Sequence, residues 1–204
     1  MNRVITSAIC AALAGFLVAG CSQSGNSNAA QDPLANIMTR TSIRKFTSES
    51  VTEAQMEQII RAGMAAPTAV NKQPWDFVIV TDTALLDSIQ TALPNAPIKR
   101  GGCRQVIVVC GNMQKALEGE AQAYWIQDCS AATENILLAA HAIGLGAVWC
   151  GVAPIKDRME ALSQTLKLPS FVKPLNVIVL GHPAEAPQPK DKWKPENVHH
   201  NATW

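Results

Sequence analysis

The stretch from Asp128 to Ile143 carries Ile136, Leu137, Leu138, Ala139, Ala140 and Ile143, and turns apolar side chains to nearly every face of the helix it predicts. A helix of that kind cannot rest on a surface. It must be covered all round, by the centre of its own domain or by a second subunit. Gly144 follows as a C-cap. A chain of 204 residues can build one sizeable core around such a helix, and no second domain is needed. With 17 basic against 16 acidic residues the formal charge is +1, so no broad field invites nucleic acid or another polyanion. Any positive charge that matters has to be local.

The other elements follow from spacing and punctuation. Leu34 to Met38 predicts a short helix running into Arg40-Thr41-Ser42-Ile43-Arg44-Lys45-Phe46. Thr52 and Gln55 form a capping-box pair ahead of Met56, Ile59, Ile60, Gly63 and Met64 at helical spacing, and Pro67 stops that helix. Trp75 to Val80 and Val106 to Cys110 are aromatic and β-branched runs that predict strands. Between them Ala84 to Leu93 predicts a helix closed by Pro94 and Pro97. Ala147 to Cys150 predicts a short strand, Asp157 to Leu166 an amphipathic helix, and Leu175 to Leu180 a last core strand. From His182 to Trp204 there is no period, yet Trp193 and Trp204 are aromatic residues suited to docking on another surface.

Residues 1–20 have the make-up of a signal peptide: Arg3 in a short basic start, then an apolar run from Ile5 to Gly20. At some 16 residues the run is shorter than the roughly 20 that span a bilayer. Val18-Ala19-Gly20-Cys21 resembles a bacterial lipobox, which would make Cys21 the acylated first residue of an exported, membrane-anchored lipoprotein. Residues 21–33 are polar and small, a flexible tether, and the domain occupies 34–204. Cys103, Cys110, Cys129 and Cys150 show no paired metal or CxxC spacing; Cys110 and Cys129 fall in apolar runs and are expected as buried thiols, with no pairing fixed. His199-His200 has no separated partner cluster and is expected as a solvated pair on the tail.

Two segments carry chemistry. Arg40-x-Ser42-x-Arg44 places two guanidinium forks around a hydroxyl, a set able to converge on one phosphate or on the carbonyl edge of a pyrimidine. Pro67-Thr68-Ala69-Val70-Asn71-Lys72-Gln73-Pro74 is a tight loop of hydroxyl and amide groups before a strand, able to match the mixed edge of a flat heteroaromatic ring or simply to satisfy its own backbone.

Together with Trp75, with Gly144-Leu145-Gly146-Ala147-Val148-Trp149-Cys150-Gly151, and with Val177 to Gly181 followed by Pro189-Lys190-Asp191-Lys192, these segments resemble the nitroreductase family in order and spacing over residues 36 to 204. The resemblance implies an α+β sandwich, a small and mostly antiparallel sheet flanked by helices. It also implies a homodimer joined over the long apolar helix with exchanged tails, and FMN at the interface. Residue by residue it implies Arg40, Thr41, Ser42 and Arg44 at the phosphate, ribityl chain and pyrimidine edge, with Arg44 at the N1/C2 edge. Pro67, Thr68 and Asn71 would come from the second subunit, Trp149, Cys150 and Gly151 would line the ring near N5, and Lys190 and Lys192 would complete the phosphate site. Lys192 stands where many relatives carry arginine, so a point charge replaces a fork.

The implied activity is ping-pong oxidoreduction, with NAD(P)H as the family's donor and nitroaromatics, quinones or other electron-poor small molecules as acceptors, without a catalytic side chain of the protein's own. No thiol role is expected for Cys150, since no adjacent cation is evident in the sequence to lower its pKa. Export would separate the enzyme from cytoplasmic NAD(P)H. That tension leaves a second reading open, a flavin-carrying surface lipoprotein that binds a partner or ligand without turnover.

Overall fold

The computed structural model describes residues 32–201. The expected signal segment, Cys21, the tether up to Gln31, and Trp204 lie outside them. Asp32 accepts a hydrogen bond from the Leu34 amide and Pro33 opens helix α1 (Pro33–Thr39). Proline suits a first helical turn because its missing N–H has no partner to lose there.

Helix α2 (Glu53–Met64) begins at the capping box that the sequence predicts: Thr52 accepts from the Gln55 amide while the Gln55 side chain accepts from the Thr52 amide. Replacing Thr52 with alanine should cost about 1 kcal/mol, or a fall of about 2–4 °C in Tm for a domain this size. Thermal denaturation followed by circular dichroism checks this; an unchanged midpoint would mean that neighbours hold the helix end without the cap.

Strand β1 (Trp75–Val80), helix α3 (Thr83–Ala92), strand β2 (Gln105–Asn112), helix α4 (Tyr124–Ala142), strand β3 (Gly146–Gly151), helix α5 (Lys156–Leu166) and strand β4 (Val172–Gly181) follow. The strands form one antiparallel sheet in the order β1-β2-β4-β3. Along β2, Ile107 and Val109 join a core with residues of α2 and α4, whereas Val106, Val108 and Cys110 join a second core with α3 and α5. A strand covered on both faces has no polar side to show, which accounts for its unbroken apolar run. This is the α+β sandwich that the resemblance implies.

Helix α4 starts four residues before the expected Asp128. Within this chain it is covered on one side only: Trp125, Cys129, Ala132, Ile136, Leu137 and Ala140 are buried, while Tyr124 and Ile126 are exposed and Leu138 and Ala139 half-buried. Its all-round apolarity therefore exceeds what one chain covers. Strand β4 runs through Pro174, which faces Cys110 where the β2–β4 register shifts. The missing proline N–H falls at an irregularity that does not need it.

Candidate functional site: a cationic cleft beside β3

The cleft begins with the way α4 holds α1. Asn36 donates to the Leu138 carbonyl at 3.1 Å, and Thr39 Oγ1 lies 3.0 Å from His141 Nε2. Burial, then the Arg40 charge, lowers the His141 pKa below its usual value, so the imidazole is neutral near pH 7. The chain leaves α1 at Arg40, whose Nε sits 3.5 Å from Glu134 on α4. It then runs beside β3, with Ser42 bridged to Ala147 and the Ile43 amide donating to the Ala147 carbonyl at 3.1 Å. The hydroxyl and both guanidinium groups are thus carried on a backbone ledge attached to the sheet edge.

On the far side stands the segment after β4. Pro187, Lys190, Asp191, Lys192 and Trp193 face Arg40, Thr41, Ser42 and Arg44 across a cleft of about 670 Å³. Volumes of this order hold a small-molecule ligand. Four cationic side chains meet two carboxylates there, Glu134 and Asp191. Glu134 is paired with Arg40, and the Asp191 side chain accepts from the Trp193 amide at 2.9 Å. The excess of positive charge is therefore local, on a chain whose formal total is only +1.

Arg44 also lines a second, smaller hollow of about 230 Å³, with Trp149, Cys150 and Gly151 at the end of β3, the turn Leu93–Pro97, and Arg158. Arg158 Nη1 donates to the Gly151 carbonyl at 3.1 Å, and Arg100 Nη2 donates to the Asn95 carbonyl at 2.6 Å. Asn95 and Arg158 belong to this hollow although nothing in the sequence singles them out. They sit in a turn and on an exposed helix face, where no period or motif separates a lining residue from a solvated one.

Cys150 corrects one expectation. Cations do lie near it, Arg44 and Arg100, but desolvation outweighs them and pushes the thiol up to about 11. It stays protonated at neutral pH, held so by burial, a cause that the sequence does not show. Cys110 and Cys129 are buried thiols pushed up to about 12, chiefly by desolvation.

The loop carrying Pro67, Thr68 and Asn71 does not line either hollow of this chain. Its groups are turned on one another: Thr68 Oγ1 accepts from the Gln73 amide at 3.1 Å, and Asn71 Oδ1 accepts from Gln73 Nε2 at 3.1 Å. The buried Asp128 carboxylate accepts the Ala69 amide at 2.8 Å and anchors the loop to α4. Val70, Asn71 and Gln73 all have positive φ, at 43°, 57° and 50°. For a β-branched, exposed valine this is a strained conformation of the kind found at binding loops.

The donor chemistry of the larger cleft fits FMN. Guanidinium and ammonium groups suit a phosphate, Thr41 and Ser42 suit hydroxyls, and Arg44 connects this cleft to the hollow bounded by Trp149 and Gly151.

Comparison with known proteins gives the same direction. The model of the nitroreductase family matches residues 37–105 and 100–182. A protein of Methanothermobacter thermautotrophicus, named as a candidate NADH dehydrogenase/NAD(P)H nitroreductase, is 40% identical over 168 residues, covering 82% of this chain and 86% of its own. The crystal structure of a Parabacteroides distasonis protein with the same name has a TM-score of 0.78 at 43% identity, covering 84% of this chain and 98% of that one. A candidate nitroreductase of Desulfovibrio desulfuricans, solved in complex with FMN, has a TM-score of 0.71 at 28% identity, covering 84% and 97% of the two chains. With the family match and these relatives in agreement, the chain belongs to the nitroreductase family.

Proposed function

We propose that this protein is an FMN-dependent oxidoreductase that takes reducing equivalents from NAD(P)H, the family's donor, or from another two-electron donor where export separates it from that pool, and delivers them to nitroaromatics, quinones or similar electron-poor small molecules in a ping-pong cycle. The observation that carries the reading is the meeting of Arg40, Ser42 and Arg44 with Lys190 and Lys192 in one cleft, joined through Arg44 to Trp149, Cys150 and Gly151. FMN supplies the hydride chemistry when bound.

The chain's residues do the rest. Arg40, Lys190 and Lys192 hold the phosphate, with Thr41 and Ser42 beside the ribityl chain. Arg44 presents positive charge to the pyrimidine edge, where reduction adds negative charge. Trp149, half-exposed, and the backbone of Cys150 and Gly151 flank the ring and limit access to one face.

A homodimer completes the site in this reading. The uncovered side of α4 supplies the contact, and Pro67, Thr68 and Asn71 reach the partner's cleft from a loop whose strain suits a binding role. Residues 1–20 direct export and Cys21 carries the acyl anchor; Cys21→Ser should then abolish incorporation of labelled fatty acid, and an unlabelled wild type would remove the anchor from the proposal.

The deciding experiment is the absorbance spectrum of the purified protein, followed by anaerobic reduction with NADH or NADPH and reoxidation with a nitroaromatic or quinone. Flavin bands at about one per chain, bleached by the donor and restored by the acceptor, are the expected result. A colourless protein that ignores added FMN ends the reading.

A further inference from the structure

The cationic cleft is built from two stretches far apart in sequence, the ledge 40–44 and the segment that carries Lys190 and Lys192. Something must set the distance between them. After β4 the chain doubles back along the ledge: the Thr47 amide donates to the His182 carbonyl at 2.9 Å, Phe46 bridges Pro183, and the Ala184 amide donates to the Lys45 carbonyl at 2.9 Å. Glu185 comes next, and it makes the last connection. Its Oε1 accepts the Arg44 amide at 2.5 Å and the Lys45 amide at 3.2 Å, across 141 and 140 positions of sequence. Further along, the Asp191 side chain accepts the Trp193 amide at 2.9 Å, a bond local to the segment. Lys190 and Lys192 follow this anchor by five and seven residues.

We propose that Glu185 is the positioning residue of the phosphate-binding cleft. Its carboxylate gathers the backbone N–H groups of Arg44 and Lys45 and so holds the lysine-bearing segment opposite Arg40 and Arg44. The proposal rests on the FMN reading above and adds a role for a residue that itself lines neither hollow. Three features favour Glu185 for this task. An ionised carboxylate is an acceptor only, so it can serve two amides without needing a donor in return. Such bonds are charge-assisted and stronger than neutral ones. Both amides belong to the residues at and next to Arg44, so one contact fixes a guanidinium-bearing residue and the lysine-bearing segment together.

The consequence is selective. Loosening the clamp frees the lysines, which serve the phosphate, but leaves Arg44 on a ledge still bonded through the Ile43 and Phe46 amides, and Trp149, Cys150 and Gly151 on their strand, where they serve the ring. Riboflavin has the ring and ribityl chain of FMN without the phosphate, so the two ligands separate the two parts of the site.

The test uses the full-length protein and its Glu185→Ala and Glu185→Gln variants, each stripped of flavin and titrated with FMN and with riboflavin by fluorescence quenching, with Tm measured on the flavin-free forms. Alanine should weaken FMN by about 10- to 30-fold while changing riboflavin by less than about threefold. Glutamine, whose Oε1 still accepts, should recover most of the loss. The Tm of the flavin-free forms should stay within about 2 °C, because Glu185 is only half-buried. Unchanged FMN affinity in the alanine variant overturns the proposal. So does an equal loss for both ligands, or a Tm that falls in step with affinity. A wild type that binds neither flavin overturns the underlying FMN reading, and this inference with it, before any variant is made.

Discussion

Arg44→Ala is expected to lower FMN affinity by roughly 10- to 100-fold, the loss that follows when a charge-assisted hydrogen bond of about 1.5–3 kcal/mol is removed. The size of the effect comes from the position of Arg44. It alone among the cleft's four cations lines both hollows, and among the described residues its side chain makes one hydrogen bond, Nη1 to the Ser42 carbonyl at 3.3 Å. Arg40 differs, since Glu134 already takes part of its charge. Removing Arg44 should also make the bound flavin harder to reduce, because the negative charge gained on reduction loses a cationic neighbour. About 1.4 kcal/mol of lost stabilisation corresponds to a fall of about 30 mV in a two-electron potential. Arg44→Lys separates charge from shape: the potential should return most of the way, while affinity recovers only in part without the planar fork. Equilibrium dialysis and a dye-coupled redox titration check both quantities. Wild-type affinity and potential in the alanine variant would mean that the ring edge lies elsewhere.

The same residues indicate what a sequence can and cannot disclose. Strand β1 is read to the residue, because Trp75 to Val80 is an aromatic and β-branched run set off by Pro74 and by Asp82, the cap of α3. The α2 start is equally plain in Thr52 and Gln55. Where boundaries shift, competing signals explain it. Tyr124 and Trp125 are modest helix formers, and Ala123 makes no side-chain cap, so nothing announces that α4 begins there. Pro174 argues against a strand and hides the first residues of β4, since the register shift that accommodates it belongs to tertiary pairing.

The cleft is legible where residue types cluster, as in Arg40-x-Ser42-x-Arg44 and Lys190-x-Lys192, whose convergence across the fold then follows from the chain doubling back after β4. Glu185 and Arg158 leave no such trace. One acts through backbone amides 140 positions away or more, the other through the Gly151 carbonyl, and a single charged residue in a loop or on an exposed helix face carries no mark of its acceptor or donor. The loop at Thr68 and Asn71 is the intermediate case. Its polar groups are visible in sequence, yet both readings of it, turn and binding element, are compatible with the bonds it makes within one chain.

Gly101→Ala is expected to be the most damaging single methyl addition near the site. Gly101 is buried in the turn between α3 and β2, and its carbonyl accepts the Phe46 amide at 2.7 Å, so the turn and the ledge 40–46 are in direct backbone contact. A Cβ at this position would run into the carbonyl oxygens of Pro97 and Arg44, with the Arg44 carbonyl carbon at 3.3 Å. These are backbone atoms, which cannot swing aside as the end of a long side chain can. Either the turn or the ledge must move, and overpacking of this sort costs about 3 kcal/mol at the upper end of its usual range, or about 6–12 °C in Tm. Because the ledge carries Arg44, flavin affinity should fall along with stability. Gly119→Ala is the control for conformational effects alone: its φ is +61° and an added Cβ meets nothing within 4 Å, so only about 1 kcal/mol of backbone strain is expected. Thermal melts of the two variants with and without FMN measure the contrast. If Gly101→Ala melts no lower than Gly119→Ala, the packing of the turn against the Arg44 ledge is looser than the geometry requires, and Arg44 is held by something other than its backbone.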